Sequence, residues 1–417
     1  MRVMKDSGIA WIGEIPENWK MVQVRYLFRI GRGRVISQTE LQDNGIYPVF
    51  SSQTKDNGCL GYINTYDFDI SQLTWTTDGA NAGTVFLRSG KHNCTNVCGT
   101  LQPLNAEIDL RFQKYALEHI AYYHKRADTN GFKIMNNEMA NIYTILPPLN
   151  TQRRIADYLD RKCSQIDAII ARQQEVIEKL KAYKLSVITE AVTKGLNPHA
   201  PMKDSGVEWI GEIPADWEVS KLKFMGHFVN GYAFSSNSFT TDGVRVMKIA
   251  NIQPMRISWI DASYVDTSEY NRLSMYRVEQ GDLVFALTRP IINGGIKVAI
   301  FDGKDKVLLN QRNAMFKGLS RVLSRWMYYV MQNQMYVQEF ALYIDATGQQ
   351  PNISTNEISQ IKIPIPPIEV QQEIIMKLDA IMASIEKLIS RKEQVIQRLS
   401  DYKKSLIYDV VTGKKEV

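Results

Sequence analysis

The chain has 417 residues, a length that suits two domains and an additional element rather than one core. Its hydrophobic content of 44% excludes wholesale disorder, and no apolar run is typical of a membrane helix or a signal peptide. Four cysteines exclude a disulfide framework and favour the cytoplasm, while a net charge of +6 permits a polyanionic partner without requiring one.

A segment near the start of the chain is repeated almost unchanged farther along. MKDSGIAWIGEIPENW at residues 4–19 recurs as MKDSGVEWIGEIPADW at residues 202–217, with 12 of 16 positions identical. This repeat predicts two copies of one plan, each with a lead-in segment, a globular region and a helical segment. The predicted divisions are residues 1–19, 20–146, 147–199, 200–217, 218–365 and 366–417.

Both globular regions combine strand-like and helical patterns, so the expected fold is α+β with two tandem mixed domains. Thr77 and Gly83 of the first region align with Thr288 and Gly294 of the second. The predicted strands are residues 47–52, 73–77, 282–288 and 297–302, and the predicted helices are residues 110–125 and 324–343.

A proline pair ends each globular region, and a helix is predicted after each pair. Residues 146–160 align with residues 365–379, an offset of 219 that continues along both helices. Apolar residues recur every three and four positions over four heptads, which is typical of a coiled-coil seam. The residues assigned to position a are Ile169, Val176, Tyr183, Ile381, Leu388, Val395 and Tyr402. The residues assigned to position d are Leu159, Ile166, Leu180, Val187, Leu378, Ile385, Leu399 and Leu406.

Since one chain supplies both helices, we expect them to pair with each other over about 38 residues, roughly 57 Å. One d position is polar in both helices, Gln173 in the first and Lys392 in the second. A matched polar layer can fix the register of a coiled coil, or it can mark a place where the seam opens to solvent. The sequence leaves both interpretations open.

The sequence contains no arrangement typical of an enzyme. His92, Cys94 and Cys98 lie close together, but zinc sites usually have four ligands in two pairs, and no second pair follows. GTVFLRSGK at residues 83–91 departs from the spacing of a phosphate loop. Neither a Gly-rich cofactor loop nor a motif of adenine methyltransferases is present. We therefore predict that the chain supplies no catalytic residue and binds no metal or cofactor.

Polar loops are the remaining candidates for a function. They are rich in the side chains that contact phosphates and base edges in DNA. Ordinary turns use many of the same residues, so the prediction depends on the loops as a set. The candidate DNA-binding residues of the first region are Arg32, Arg34, Ser51, Ser52, Gln53, Lys55, Thr77, Asn81, Lys133 and Asn136. Those of the second region are Tyr232, Ser235, Ser236, Asn251, Gln253, Thr288, Arg289, Gln349, Gln350 and Asn352.

The order and duplication of these motifs resemble the specificity subunit of Type I restriction-modification systems. The resemblance is carried by the repeated DSGxxWIGEIPxxW segment, the IPPL-type strand end, the Gln-rich helix after it and GDLVFALTR at residues 281–289. It covers essentially the whole chain. The family helix often begins with a Glu-Gln pair, whereas this chain has Thr151-Gln152 and Val370-Gln371, so only the glutamine is shared.

This resemblance implies a non-catalytic subunit that recognises double-stranded DNA. In the family, each of two target-recognition domains reads one half of a split target, and two helices form an antiparallel coiled coil that fixes the spacing. An approximate two-fold relation between the copies follows, with equivalent faces for two methyltransferase subunits. Those subunits would use S-adenosylmethionine, and restriction subunits would use ATP and Mg²⁺. A coiled-coil scaffold that binds only proteins is the alternative, and a free-standing methyltransferase is disfavoured because no cofactor motif is present.

The repeated lead-in segment then has a predicted structural role. We expect Trp11, Trp19, Trp209 and Trp217, with the rigid Ile-Pro turns, to pack helix ends against the globular regions; stacking on DNA is the less favoured alternative. A helix pair of roughly 57 Å corresponds to about 17 base pairs. This length predicts that the two sets of loops lie in major grooves one to two turns apart.

Overall fold

The structure is a computed structural model that describes residues 2–10, 12–129 and 131–417. The chain forms two compact units. Unit 1 extends through Gln174 and also includes Glu393–Val417, whereas unit 2 is Glu175–Lys392. Each unit therefore contains one globular region and half of each long helix, so the units do not follow the linear order of the predicted divisions.

The globular region of unit 1 is built on two four-stranded sheets. Leu73, Trp75 and Leu101 of the first sheet are fully buried in one core with the helix Leu110–His124. In spatial order the strands of the first sheet are Val85–Arg88, Gln72–Thr76, Cys98–Pro103 and Phe28–Arg32, and those of the second are Cys59–Ile63, Tyr47–Phe50, Lys91–Cys94 and Phe68–Asp69. The remaining strands are Met4–Asp6 with Glu14–Pro16, Lys20–Gln23 with Tyr143–Leu146, and Arg126–Asp128 with Gly131–Lys133 and Asp78–Gly79; the short helices are Val24–Leu27 and Asn136–Asn141.

The globular region of unit 2 repeats this plan with a larger second sheet. The strands of its first sheet are Gly226–Asn230, Asn313–Gly318, Leu283–Ala286 and Val298–Ile300. Those of its second are Phe239–Thr240, Ser263–Val265, Val244–Met247, Val307–Leu309 and Arg277–Val278. The remaining strands pair as Met202–Asp204 with Glu212–Pro214, Glu218–Lys221 with Lys362–Ile365, Ile252–Gln253 with Arg256–Ile257, and Ile291–Ile292 with Gly295–Ile296. Its helices are Glu269–Arg272, Ser324–Val330, Gln334–Leu342 and Thr355–Gln360.

These elements confirm the predicted α+β class, and each predicted strand overlaps an observed one. The predicted helix over residues 324–343 is in fact two helices, Ser324–Val330 and Gln334–Leu342. The break occurs because the Asn333 side chain accepts a hydrogen bond from the Met335 N–H at 2.8 Å and so caps a new helix.

The two long helices pack together as predicted, and both are longer than expected. The first is Leu149–Lys194, with 46 residues, and the second is Ile368–Val411, with 44 residues. At 1.5 Å per residue they are about 69 and 66 Å long. Unit 1 pairs the first half of the first helix with the last half of the second, and unit 2 pairs the other two halves. This is the arrangement of antiparallel helices.

The d row of the seam between the helices is as predicted, whereas the a row differs from the prediction by one residue. The d residues are buried or half-buried, but five of the predicted a residues are exposed, and Val176 and Ile381 are half-buried. The assignment placed a three positions after d, whereas a heptad places it four positions after d. The exposed residues are Ile169, Tyr183, Leu388, Val395 and Tyr402. The buried or half-buried row is Cys163, Ile170, Ile177 and Lys184 in the first helix and Met382, Ile389, Ile396 and Lys403 in the second.

Two lysines in this corrected row form ion pairs with the neighbouring helix. In unit 1, Lys403 Nζ lies 2.7 Å from a carboxylate oxygen of Asp167. In unit 2, Lys184 Nζ lies 2.9 Å from Glu386. The 219-residue offset relates Lys184 to Lys403 and Asp167 to Glu386, so the two pairs are equivalent. Gln173 and Lys392, the predicted polar layer, are half-buried.

Candidate nucleic-acid interface

A buried glutamine in the first turn of each long helix fastens that helix to its globular region. Gln152, 1% exposed, accepts a hydrogen bond from the Asp109 N–H at 2.9 Å. Its amide nitrogen donates to the carbonyls of Glu107 at 3.1 Å and Pro147 at 2.9 Å. Asp109 also caps the helix Leu110–His124, so the glutamine joins two helix starts.

Gln371 makes the same three contacts in unit 2. It accepts a hydrogen bond from the Leu323 N–H at 3.0 Å and donates to the carbonyls of Arg321 at 3.0 Å and Pro366 at 2.9 Å. It is fully buried. The glutamine is the residue that both copies keep after the proline pair, and these contacts give it a physical role that the sequence did not reveal.

A second joint follows about two turns later along each long helix. Asp160 accepts hydrogen bonds from Arg111 at 3.1 Å and from the Tyr115 hydroxyl at 2.8 Å. Both donors lie on the helix Leu110–His124 of the globular region. Arg111 also pairs with Asp157, at 2.8 Å.

The equivalent carboxylate in unit 2 is Asp379. One of its oxygens accepts hydrogen bonds from Arg325 Nε at 2.9 Å, from Arg325 Nη2 at 2.7 Å and from the Tyr329 hydroxyl. With the glutamine, this contact holds the globular region to the long helix at two points in both units.

The lead-in segments pack at the other ends of the long helices, as the sequence predicted. In unit 2, Gly195 follows the first long helix with φ +73°, and a Cβ there would lie 3.2 Å from Trp217. In unit 1, Gly413 follows the second long helix with φ +73°, and a Cβ there would lie 2.9 Å from Trp19. Both tryptophans are buried, 1% exposed for Trp19 and 2% for Trp217, which excludes stacking on DNA. Trp11 lies outside the described residues.

A glycine at a close backbone approach positions the candidate loops in each unit. A Cβ on Gly33 would lie 2.1 Å from the Cys94 carbonyl oxygen, and a Cβ on Gly231 would lie 1.9 Å from that of Asn310. Only glycine permits this approach. As a result, the strand end that carries Arg34 or Tyr232 is paired with the turn after the neighbouring strand.

Hydrogen bonds correct the predicted alignment between the two units by one residue. The Ile134 N–H donates to the Thr77 carbonyl at 2.8 Å, and the Ile353 N–H donates to the Leu287 carbonyl at 2.9 Å. Ile134 and Ile353 are related by the 219-residue offset, so Leu287 rather than Thr288 is the counterpart of Thr77.

For three of the candidate residues, the structure does not fit a contact with DNA, because they are buried and hydrogen-bonded internally. The Thr77 hydroxyl donates to the Val97 carbonyl at 3.0 Å, and the Thr288 hydroxyl donates to Asn352 at 2.6 Å. Asn251, fully buried, accepts from a backbone N–H and donates to a backbone carbonyl within its own turn. These side chains shape the loops instead of presenting a surface.

The other candidates are accessible to different degrees. The half-buried ones are Ser51, Ser52, Gln53, Lys133 and Asn136 in unit 1 and Tyr232, Gln253 and Gln350 in unit 2. The exposed ones are Arg32, Arg34, Lys55 and Asn81 in unit 1 and Ser235, Ser236, Arg289, Gln349 and Asn352 in unit 2. That accessibility permits contact with a ligand.

Two of the cations around the candidate loops of unit 1, Arg34 and Lys133, are paired with neighbouring carboxylates. Arg34 pairs with Glu40 at 2.8 Å and with Asp67 at 3.2 Å. The hydrogen bond from Arg34 is the main cause that lowers the pKa of the Glu40 carboxyl. Lys133 pairs with Asp128 at 2.7 Å and lowers the pKa of that carboxyl to about 2.

A buried arginine supports the loop at residues 51–58. Arg88, 2% exposed, lies 3.6 Å from the ring centre of Phe50 and donates to the Asn57 carbonyl at 2.7 Å. Asn57 and its neighbour Asp56 both have left-handed backbone conformations, φ +53° and +49°. Burial lowers the pKa of Arg88 to about 10, so it remains charged at neutral pH.

In unit 2 the segments that carry Tyr232 and Arg289 lie beside the turn 310–313. The Tyr232 N–H donates to the Leu309 carbonyl at 2.9 Å, and the Leu287 N–H donates to the Arg312 carbonyl at 2.8 Å. Farther along the same strand end, the Arg289 N–H donates to the Pro351 carbonyl at 2.8 Å. The segments around Tyr232, Arg289 and Asn352 thus lie at one end of the first sheet.

The turn 310–313 supplies residues that the sequence analysis missed. Gln311 and Arg312 are exposed there, and Arg312 has φ +63°. A signal for them existed, since LNQRNAMF places a polar run between two apolar strands. In unit 1 the missed residue is Arg88, whose burial inside a strand no pattern indicated.

Cys94, Cys98 and His92 lie on two consecutive strands and are held by burial or hydrogen bonds. Burial raises the pKa of the Cys94 and Cys98 thiols, the latter to about 12, so both are protonated at neutral pH. Both ring nitrogens of His92 contact neighbours, the Gln72 amide at 2.9 Å and the Gly90 carbonyl at 2.8 Å. No group of His, Cys, Asp and Glu in the described ranges is arranged to hold a metal ion. Likewise, none of the described helices could cross a membrane.

Comparison with known proteins gives one consistent family. A family model described as the type I restriction modification DNA specificity domain matches the chain twice, at residues 16–179 and 214–398. The type I restriction enzyme MjaVIII specificity subunit of Methanocaldococcus jannaschii is 31% identical over 97% of this chain and 94% of its own length. The putative type I restriction enzyme MjaX specificity subunit of the same organism is 26% identical over 97% and 96%.

A solved structure gives the same result for the fold. It comes from work on complex assembly and conformational transition of the type I restriction-modification system, with a TM-score of 0.70. The likeness covers 95% of this chain and 98% of that one at 14% identity. With two matched domains and a full-length relative above 30% identity, the chain belongs to the family of DNA specificity subunits of type I restriction-modification enzymes.

Proposed function

We propose that the chain binds double-stranded DNA at a target of two half-sites, one read by each unit, and that it performs no reaction itself. The observation that carries this proposal is the repeated combination of a rigid joint and a polar loop end. In both units a buried glutamine and an aspartate hold the globular region to the long helix, while the loops differ in sequence. A support that is the same in both units, with loops that differ between them, suits two readers of different base sequences.

The long helices would set the spacing between the half-sites. The matched ion pairs Lys403–Asp167 and Lys184–Glu386 support this role, because each fixes the register of the two helices within its unit. Helices of about 66 to 69 Å match the length of about 20 base pairs at 3.4 Å per pair.

The partners would be two methyltransferase subunits, docked on equivalent surfaces of the two copies, together with restriction subunits. In such a complex the methyltransferase subunits would bind S-adenosylmethionine, and the restriction subunits would bind ATP and Mg²⁺. We propose that this chain holds none of these groups and acts in the cytoplasm, where its DNA target would lie.

A shortened helix pair tests the spacer role. Residues 170–176 and 389–395 are equivalent heptads, and each lies between the two ion-paired positions of its helix. Deleting both shortens each helix by about 10 Å, or roughly three base pairs, and retains both ion pairs. Methylome sequencing of a host with the full chain and its methyltransferase subunit should show the same two half-sites separated by a shorter spacer.

Two controls make this test decisive. Deleting only one of the two heptads brings the paired halves out of register, so that variant should lose methylation altogether. An unchanged spacer after the double deletion would refute the spacer role. A change in the half-sites themselves would show that the helices take part in reading bases. In a separate test, binding of the assembled complex to random duplex DNA should weaken steeply with added salt, whereas a protein scaffold would show no such binding.

A further inference from the structure

Arg289 occupies a backbone position that in unit 1 belongs to a glycine. Because Leu287 is the counterpart of Thr77, the residue two positions later, Arg289, is the counterpart of Gly79. Both residues are left-handed, with φ +88° at Gly79 and φ +47° at Arg289. This conformation is easy for glycine and unfavourable for a side chain with a Cβ. Unit 2 therefore tolerates local strain to place an arginine at this point, and strain of this kind concentrates at functional sites.

The strained conformation is held firmly on both sides. The Arg289 N–H donates to the Pro351 carbonyl at 2.8 Å, and Pro290 follows it directly. Its neighbour Thr288 is buried and donates to Asn352 at 2.6 Å. The backbone of Arg289 is thus fixed while its guanidinium is exposed. The direction in which the side chain leaves the backbone is therefore defined.

The charge of Arg289 belongs to a positive cluster. Arg312, which is also exposed and has a left-handed backbone conformation, lies in the turn 310–313, where its carbonyl accepts a hydrogen bond from the Leu287 N–H. Lys297 is 6% exposed and donates to the Ile249 carbonyl at 2.7 Å; burial and then the charge of Arg289 lower its pKa. Among the residues that the structure describes, no carboxylate forms an ion pair with any of these three cations. The cluster is therefore suited to bind a ligand that is negatively charged or rich in hydrogen-bond acceptors.

We propose that Arg289 is a specificity-determining residue of unit 2 and that it reads the major-groove edge of a guanine in one half-site. This inference depends on the proposed function, since it names the base contact of that same site. An arginine fork donates two hydrogen bonds to guanine O6 and N7, a geometry that requires a precisely directed side chain. A phosphate contact tolerates varied directions and would not require a strained backbone.

Three variants of the full chain, each with its methyltransferase subunit, test this inference. Arg289→Lys keeps the charge and loses the fork. Arg289→Gly loses the side chain and suits φ +47°, so its melting temperature should equal or exceed that of the parent. The matched control is Arg256→Gln, which removes an exposed arginine from another strand of unit 2. The readout is the methylated sequence in host DNA.

For both Arg289 variants we expect one guanine of one half-site to become degenerate, with at least a tenfold loss of discrimination there and the other half-site unchanged. The control should retain the parental target. An unchanged target in Arg289→Lys would overturn the inference, even if Arg289→Gly proved unstable. A uniform loss of methylation at an unchanged sequence would assign Arg289 to a phosphate instead. If the parent itself methylated no bipartite target, the proposed function would be wrong rather than this inference.

Discussion

The two units share their joints and differ in their loops. Gln152 and Gln371 make the same three hydrogen bonds, and Asp160 and Asp379 each bind an arginine and a tyrosine of their globular region. Around the loops the charges differ. In unit 1, Arg34 pairs with two carboxylates, whereas the three cations of the cluster around Arg289 in unit 2 have no such partners among the described side chains.

This difference separates two kinds of constraint on a duplicated chain. A buried joint must satisfy the same backbone donors and acceptors in both copies, so its residues stay the same. Loop ends need only keep the glycine approach at Gly33 and Gly231, and their exposed side chains are free to diverge. The comparison therefore assigns a supporting role to the joints, and it agrees with the proposal that the loop ends take part in recognition.

The joints should be the most sensitive to substitution. Gln152→Leu leaves the Asp109 N–H and two carbonyls without partners, and Gln371→Leu does the same in unit 2. Because each unsatisfied buried group costs about 1–3 kcal/mol, we expect each variant to lose about 3 kcal/mol of the free energy of unfolding of its unit. Amide hydrogen exchange measures this loss for each unit separately. Equal losses in the two variants would confirm that the joints are equivalent. A loss of stability in only one of the two variants would contradict that equivalence.

The aspartate joints should differ, because their surroundings do. Arg325 forms its ion pair with Asp379, whereas Arg111 also pairs with Asp157 at 2.8 Å and lies 3.6 Å from Asp109. Asp379→Asn should therefore destabilise unit 2 by about 1 kcal/mol, since the groups are partly exposed and the Tyr329 hydroxyl loses a charged acceptor.

Asp160→Asn is the matched control in unit 1. It should cost no more than about half as much, since Asp157 continues to neutralise Arg111. Urea unfolding followed by hydrogen exchange compares the two variants. A larger loss in Asp160→Asn would show that the extra carboxylates of unit 1 contribute nothing.

Much of this architecture follows from the sequence, because repetition and apolar periodicity are long-range signals. The repeat of residues 4–19 predicted the duplicated plan, and the four-heptad pattern predicted the helix pair. The predicted a row of the seam was wrong by one residue, because Ile169 and Leu388 are apolar and yet exposed. Apolar periodicity identifies the face of a helix that packs against its neighbour. Lys184 and Lys403 also lie on that face because each forms an ion pair there, and a hydropathy pattern does not predict such pairs.

The candidate site was less predictable for a physical reason. A loop residue is accessible or buried according to contacts with distant segments, which is why Thr77, Asn251 and Thr288 could not be distinguished from exposed neighbours. A backbone conformation such as that of Arg289 is likewise fixed by its partner Pro351, 62 positions away in the chain. Glycine patterns indicated where the loops turn, but they did not indicate which side chains of the loops are exposed.

The smallest expected effect concerns the equivalence of the two helix ion pairs. Lys184→Glu should destabilise unit 2 by about 0.5–1 kcal/mol, because it replaces an attraction to Glu386 with a repulsion at a partly exposed site. Adding Glu386→Lys reverses both charges and should restore most of the loss in a double-mutant cycle. The same cycle at Lys403 and Asp167 is the control in unit 1 and should give a similar coupling energy, measured by urea unfolding. No recovery in either double variant would mean that the lysines occupy the seam through their aliphatic stems alone, and that the helix register depends on the apolar rows.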